Sequence, residues 1–157
     1  MKIKTICVIG MGFIGTTLAA VLAEAGFLVL GVEKNKEKLE QLKNGKPHFY
    51  EKGLAEILSA QTGKNLYFFD KIPADLPALD FRKHLRSWDR SQPGKNIDVF
   101  IIAVATPVHE ESKKPNLEYV ENAINDLLPH LNDGQLVILR STVPVGTSRN
   151  LVLPLIK

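Results

Sequence analysis

An apolar run, Ile6-Cys7-Val8-Ile9, passes straight into Gly10-Met11-Gly12-Phe13-Ile14-Gly15, and an alanine- and leucine-rich stretch follows from Thr16 to Ala25. Strand, then Gly-x-Gly-x-x-Gly, then helix is an order that few folds can use. The first glycine permits a tight turn, the second lets backbone N–H groups approach a pyrophosphate, and the third lets helix pack on strand. The pyrophosphate then lies at the helix N-terminus, where unpaired amides and the helix dipole favour negative charge. A second apolar run, Phe27 to Val32, ends in Glu33, 18 positions after Gly15. A dinucleotide-binding βαβ unit carries its ribose-binding carboxylate about 20 residues beyond the glycines. The candidate cofactor-binding residues in this unit are Gly10, Gly12, Phe13, Ile14, Gly15, Glu33 and Lys38.

The acid also bears on which dinucleotide is bound. A carboxylate at the end of the second strand accepts hydrogen bonds from a ribose diol and repels a 2′-phosphate, which favours NAD over NADP. Lys34 and Lys38 lie close by in sequence and offer charge that would soften that repulsion. The plainer reading of Glu33 is a solvated acid opening the next helix, where it suits the dipole.

Alternation of apolar periods gives the rest of the architecture. Strands are expected at about 4–9, 27–33, 65–69, 98–104 and 135–139, and helices at about 13–25, 36–43, 53–60 and 117–128. The helix beginning at Lys36 stops at Asn44-Gly45, with Pro47 beyond. The runs at 98–104 and 135–139 are almost continuously apolar, as strands covered on both faces are. In the helix at 117–128, Val120, Ile124, Leu127 and Leu128 form one stripe, and Pro129 marks its end. Strands alternating with helices imply an α/β fold of the Rossmann type, a doubly wound parallel sheet with helices on both faces and right-handed crossovers. Residues 70–96 are the hardest to place: Pro73, Pro77 and Pro93 interrupt them, and Ser91 to Gly94 reads as a turn. Phe81, Leu85 and Trp88 recur at helical spacing, which predicts a short amphipathic helix with Trp88 in packing.

At 157 residues the chain is one domain by length, and its 45% apolar and 24% charged residues are those of an ordinary globular protein. No apolar run reaches the 18 to 20 or so residues that a bilayer requires, and the start has no signal-peptide layout. A net charge of +3 is too small to argue for nucleic acid, and the densest basic stretch, Arg82 to Arg86, reads as a solvated helix face. A single cysteine excludes an internal disulfide framework and suits a reducing cytoplasm. That cysteine, Cys7, lies within the first strand and is read as structural. His48, His84, His109 and His130 are scattered without a metal-ligand spacing, and Asp70, Asp75, Asp80 and Asp89 form no acid/base pair.

Two further motifs stand at the ends of later strands. Ala105-Thr106-Pro107 follows the run Val99 to Val104, and Ser141-Thr142-Val143-Pro144-Val145-Gly146-Thr147 follows Leu136 to Arg140. Ligands of open parallel sheets bind beyond such strand ends. A small residue beside a hydroxyl gives close backbone approach and a donor for ribose or phosphate oxygens. The competing reading of Thr106 and Thr142 is turn capping through a local side-chain bond.

With Asn44-Gly45-Lys46 and Tyr50-Glu51-Lys52-Gly53-Leu54 upstream, this set of motifs, in this order, resembles the N-terminal domain of the UDP-glucose/GDP-mannose dehydrogenase family. The nearest look is that of the UDP-glucose and UDP-N-acetylmannosamine 6-dehydrogenase branches. The resemblance implies NAD as cofactor and a nucleotide sugar as substrate, oxidised from the C6 alcohol to a carboxylate in two NAD-dependent steps. It implies that the loop from Val104 through Ala105 and Thr106 to Val108 lines the cofactor. It also implies that Ser141 and Thr142 reach the nicotinamide half, with Thr142 assisting near the chemistry. Ala105 departs from the family's frequent proline, and Lys52 stands where Glu-Pro-Gly-Leu is common.

The family's nucleophilic cysteine, and its lysine and asparagine near the oxyanion, lie downstream of the Ser-Thr-Val-Pro motif. The 157 residues are therefore expected to be the NAD-binding domain of a longer, homodimeric or larger enzyme, inactive alone, with Leu151 to Lys157 the start of a helix. Two other readings stay open: a free-standing NAD-binding module, or another dehydrogenase sharing the N-terminal fold.

Overall fold

The computed structural model describes residues 3–73, 97–111 and 113–157. Strands β1 (Thr5–Ile9), β2 (Leu28–Val32), β3 (Leu66–Phe69), β4 (Val99–Ile102) and β5 (Leu136–Leu139) form one sheet in the order β3-β2-β1-β4-β5, with every neighbouring pair parallel. Helix α1 (Phe13–Glu24) joins β1 to β2, α2 (Lys36–Lys43) and α3 (Leu54–Gln61) join β2 to β3, and α4 (Glu118–Leu127) joins β4 to β5. This is the doubly wound arrangement expected from the alternating periods. The winding reverses between β1 and β4, and that reversal leaves a crevice beyond their C-terminal ends.

Side chains alternate across the strands, so β1 to β4 feed two cores. Ile6, Val8, Val29, Leu66, Phe68, Val99 and Ile101 pack with α1, α2 and α3 on one face. Cys7, Ile9, Leu28, Leu30, Val32, Phe100 and Ile102 pack with Val120, Ala123, Ile124 and Leu127 of α4 on the other. Helix α1 presents small residues to the sheet, Gly15, Thr16, Ala19, Ala20 and Ala23, all buried. The one hydroxyl among them, that of Thr16, donates to the Met11 carbonyl at 2.8 Å. The start of β1 is fastened to β4 by Asp98, whose carboxylate accepts from the backbone N–H groups of Lys4 and Thr5 at 2.7 and 2.9 Å.

Helix α2 begins and ends where its punctuation says. The Asn35 side chain accepts from the Lys38 N–H at 3.0 Å, and the chain leaves the helix through Asn44 and Gly45, the latter at φ +69°. The last segment differs from expectation: a π-helical turn, Ser148–Val152, precedes a short helix α5 (Leu153–Ile156). Pro154 has no N–H to give the carbonyl four residues back and its ring crowds that carbonyl, so a regular α-turn is blocked there.

Strand β5 also departs from the sequence reading, which made it buried on both faces. It is the edge of the sheet among the described residues, and Leu136 and Ile138 are 46% and 36% exposed on the side that α1 covers farther in. The expected helix around Phe81, Leu85 and Trp88, the turn at Ser91 to Gly94 and the basic stretch Arg82 to Arg86 lie outside the described residues, as does His84. Among the described residues no helix is long and apolar enough to cross a membrane.

Cys7 is fully buried in the central strand, and the loss of solvation there pushes its thiol pKa up to about 12. Only the thiolate attacks disulfide reagents. Native protein at pH 8 is therefore expected to react with Ellman's reagent only as fast as it unfolds, whereas the denatured chain releases one equivalent at once. Fast labelling of the native chain would remove β1 from the centre of the sheet.

Candidate functional site

The glycine turn is held from three sides. The Gly10 N–H donates to the Val32 carbonyl at 2.9 Å, which ties the turn to the end of β2. Gly10 itself sits at φ +93°, and a Cβ there would stand 2.9 Å from the Ala103 carbonyl oxygen and the Val104 backbone. A Cβ on Gly15 would collide with the Gly10 carbonyl oxygen, so this glycine serves the helix–strand contact. Gly12 is different. Nothing lies within 4 Å of a Cβ built on it, and it caps α1 with no side-chain hydrogen bond. The first N–H groups of α1, at Phe13 and Ile14, thus have no intrahelical acceptor and no capping side chain from Gly12.

Across the crevice stands the half-buried Glu33. Its carboxylate accepts from the Met11 N–H at 3.2 Å through one oxygen and from the Asn35 N–H at 2.8 Å through the other. A carboxylate has about four lone-pair sites, so about two remain for a ligand. The acid therefore links the glycine turn to the start of α2 and keeps acceptor capacity facing outward.

Between these elements opens a cavity of about 450 Å³, within the range of small-ligand sites. Of the sequence-predicted residues, Gly10, Gly12, Glu33, Lys38, Val104 and Ala105 line it. Phe13 and Ile14 are exposed at the first turn of α1, and Gly15 lies beneath it. Sequence reasoning missed the opposite wall: Tyr119, Asn122 and Asp126 of α4, spaced by three and four residues, border the same cavity. They flank the stripe that α4 buries, which was the available signal. Lys34 and Asn35 were missed as lining too, and Lys34 Nζ lies 2.6 Å from Asp126 Oδ2.

A second group gathers at the neighbouring strand ends. Ser141 Oγ donates to the Val104 carbonyl at 2.8 Å, and Thr106 Oγ1 donates to the Thr142 carbonyl at 2.7 Å. These bonds join positions 37 and 36 residues apart, so they stitch the loop after β4 to the loop after β5 and are not local turn caps. The Thr142 side chain is exposed beside them. None of Thr106, Ser141 and Thr142 borders the cavity that Glu33 lines.

The loop between α2 and α3 packs on the exposed first turn of α1. Phe49 packs on Phe13 with ring centroids 4.3 Å apart, and His48 meets Phe49 edge-on at 5.0 Å. Burial pushes the His48 imidazole below its ordinary pKa, the Lys38 ammonium pushes it further, and Glu33 opposes both. Among the described residues no three His, Cys, Asp or Glu side chains come together as metal ligands would. A shallow depression over α2, lined only by polar and charged residues such as Lys36, Glu40 and Asn44, lies apart from the glycine turn.

Known proteins share this arrangement along the whole chain. The UDP-N-acetyl-D-mannosamine dehydrogenase of Methanococcus vannielii is 34% identical over 154 residues, which are 96% of this chain and 31% of that protein. Among solved structures, the UDP-N-acetyl-mannosamine dehydrogenase of Staphylococcus aureus superposes with a TM-score of 0.79 at 28% identity, covering 98% of this chain and 32% of that one. A UDP-glucose dehydrogenase from Pyrobaculum islandicum does so with 0.77 at 28% identity, covering 99% and 32%. The chain thus spans about a third of the length of these relatives. The model of the UDP-glucose/GDP-mannose dehydrogenase family's NAD binding domain matches residues 4–157, from the strand that leads into the glycine turn to the last residue, and the chain belongs to that family as its NAD-binding domain.

Proposed function

We propose that this chain, as one domain spanning residues 1–157, holds NAD with its adenosine half in the cavity beside Glu33 and its pyrophosphate against the first N–H groups of α1. The reading is carried by one observation: an uncapped helix start, with open space over Gly12, faces a carboxylate that keeps unused acceptor sites. The residues present fit the group. Gly12, Phe13 and Ile14 offer backbone donors to phosphate oxygens, Gly10 shapes the turn that presents them, Glu33 accepts from the ribose hydroxyls, and Lys38 adds positive charge at the same wall. Val104, Ala105, Thr106, Ser141 and Thr142 shape the path toward the nicotinamide, with Thr142 beside the chemistry. When bound, NAD supplies a hydride acceptor.

The relatives are named as UDP-sugar dehydrogenases, and we infer that in the full-length protein the same domain serves oxidation of a nucleotide sugar, at C6 to a carboxylate, in a cytoplasmic homodimer or larger assembly. Relatives acting on different sugars align with this chain alike, which supports assigning it the cofactor side of the reaction.

Calorimetric titration of the chain with NAD and with NADP tests the reading. Saturable NAD binding is expected, with NADP at least about tenfold weaker because Glu33 faces the 2′ position. Absence of NAD binding by a folded chain would reject the site.

A further inference from the structure

The cavity wall carries four charged side chains, Glu33, Lys34, Lys38 and Asp126. Their formal charges cancel, but they are not equally committed. Lys34 immediately follows Glu33, so its stem starts at the end of β2, where a 2′-substituent on the ribose would lie. Yet its ammonium is turned across the crevice to α4, where it meets Asp126 at 2.6 Å. Both side chains are substantially exposed, at 66% and 44%, so the pair adds little to stability. What the pair changes is where the charge points. Lys38, the other cation, lines the same wall, and among the described residues no carboxylate is paired with it as Asp126 is with Lys34.

We propose that Asp126 is a specificity-determining residue: by drawing Lys34 to itself it withholds one of the wall's two cations from a 2′-phosphate, and so adds to the preference for NAD that Glu33 sets. This rests on Glu33 facing the adenosine ribose, as proposed above. With Asp126 intact, the formal charges of the wall sum to zero, and of its two lysines Lys34 is held by Asp126. With Asp126 uncharged, the wall holds a net positive charge and Lys34 is free to swing back beside Glu33. A lysine accepts a phosphate as a point charge on a flexible stem, so no rebuilding of the backbone is required.

The test is calorimetric titration of the wild-type chain, Asp126→Asn, and Asp126→Asn combined with Lys34→Ala, each with NAD, NADP and adenosine 2′,5′-bisphosphate. Asp126 is a solvent-facing residue on α4, and circular dichroism checks that the variants keep their fold. Asp126→Asn is expected to tighten NADP and the bisphosphate by about two- to fivefold, the scale of one partly exposed charge contact, and to shift the NADP-to-NAD affinity ratio toward NADP. The added Lys34→Ala should erase the gain, and raising the salt concentration should diminish it. NADP affinity unmoved in a variant that still binds NAD would overturn the role of Asp126. So would a gain that survives Lys34→Ala. Failure of the folded wild-type chain to bind NAD would instead overturn the dinucleotide site, and this inference with it.

Discussion

Gly15→Ala is expected to lower the melting temperature by about 6–12 °C, although alanine is the better helix former. Within a helix the exchange would by itself contribute about 1 kcal/mol in favour of the variant. Against it stands the collision of the new methyl group with the Gly10 carbonyl oxygen, which is backbone held in place by the bond from Gly10 to Val32. A clash with backbone is not relieved by a rotamer change, so α1 must move off the sheet and loosen Ala19, Ala20 and Ala23. A net cost near 3 kcal/mol is a large share of a domain's stability and corresponds to that shift in melting temperature at this size. Gly12→Ala is the matched control. At φ −72° with no neighbour within 4 Å, alanine fits there, and the melting temperature should hardly change. The methyl group would instead stand in the space over the helix start, and NAD binding should fall. Thermal melts and titrations of the two variants separate the packing glycine from the ligand glycine. A Gly15→Ala chain that melts at or above the parent would show that α1 is not tightly seated on β1.

Glu33→Ala is expected to weaken NAD binding by roughly 1.5–3 kcal/mol, about 10- to 150-fold in affinity, through loss of charge-assisted hydrogen bonds to the ribose. Two causes act together. The ribose loses its acceptors, and the Met11 and Asn35 N–H groups lose theirs, which unfastens the glycine turn from the start of α2. Glu33→Gln distinguishes charge from shape. Each oxygen of Glu33 already receives a backbone N–H, so whichever one becomes NH2 places a donor against a donor. The amide is therefore expected to lose nearly as much affinity as the alanine, and titration with NAD measures both. Full affinity in Glu33→Gln would mean that the ribose is held elsewhere.

The features that could be read from the sequence are those whose causes are local. The exit of α2 is written in Asn44-Gly45, and the helix limits fall where expected. The parallel order followed from alternating periods, and Gly10, Gly12, Glu33 and Lys38 from their spacing to the strands. What escaped depends on which strands become neighbours. Lys34 and Asp126 are 92 positions apart, and they meet because β1 and β4 are adjacent, which brings α4 beside the end of β2. Tyr119 and Asn122 could be placed beside the stripe that α4 buries, but that they face the glycine turn is set by the sheet order. Strand β5 has the composition of a strand buried on both faces, and its edge position is set by the sheet order. The stitching by Thr106 and Ser141 was hidden for the same reason: each hydroxyl finds its acceptor on the loop of a different strand.

That bare side of β5 gives the domain a direction in which it can grow. The functional crevice is built around β1, β2 and β4, whereas Leu136 and Ile138 belong to the strand beyond β4 and no strand flanks its outer edge among the described residues. Polypeptide laid along that margin would cover both apolar side chains and satisfy the free backbone groups of an edge, while every residue touching the crevice kept its place. Architecture added there would leave the cavity beside Glu33, which no residue of β5 borders, as it is.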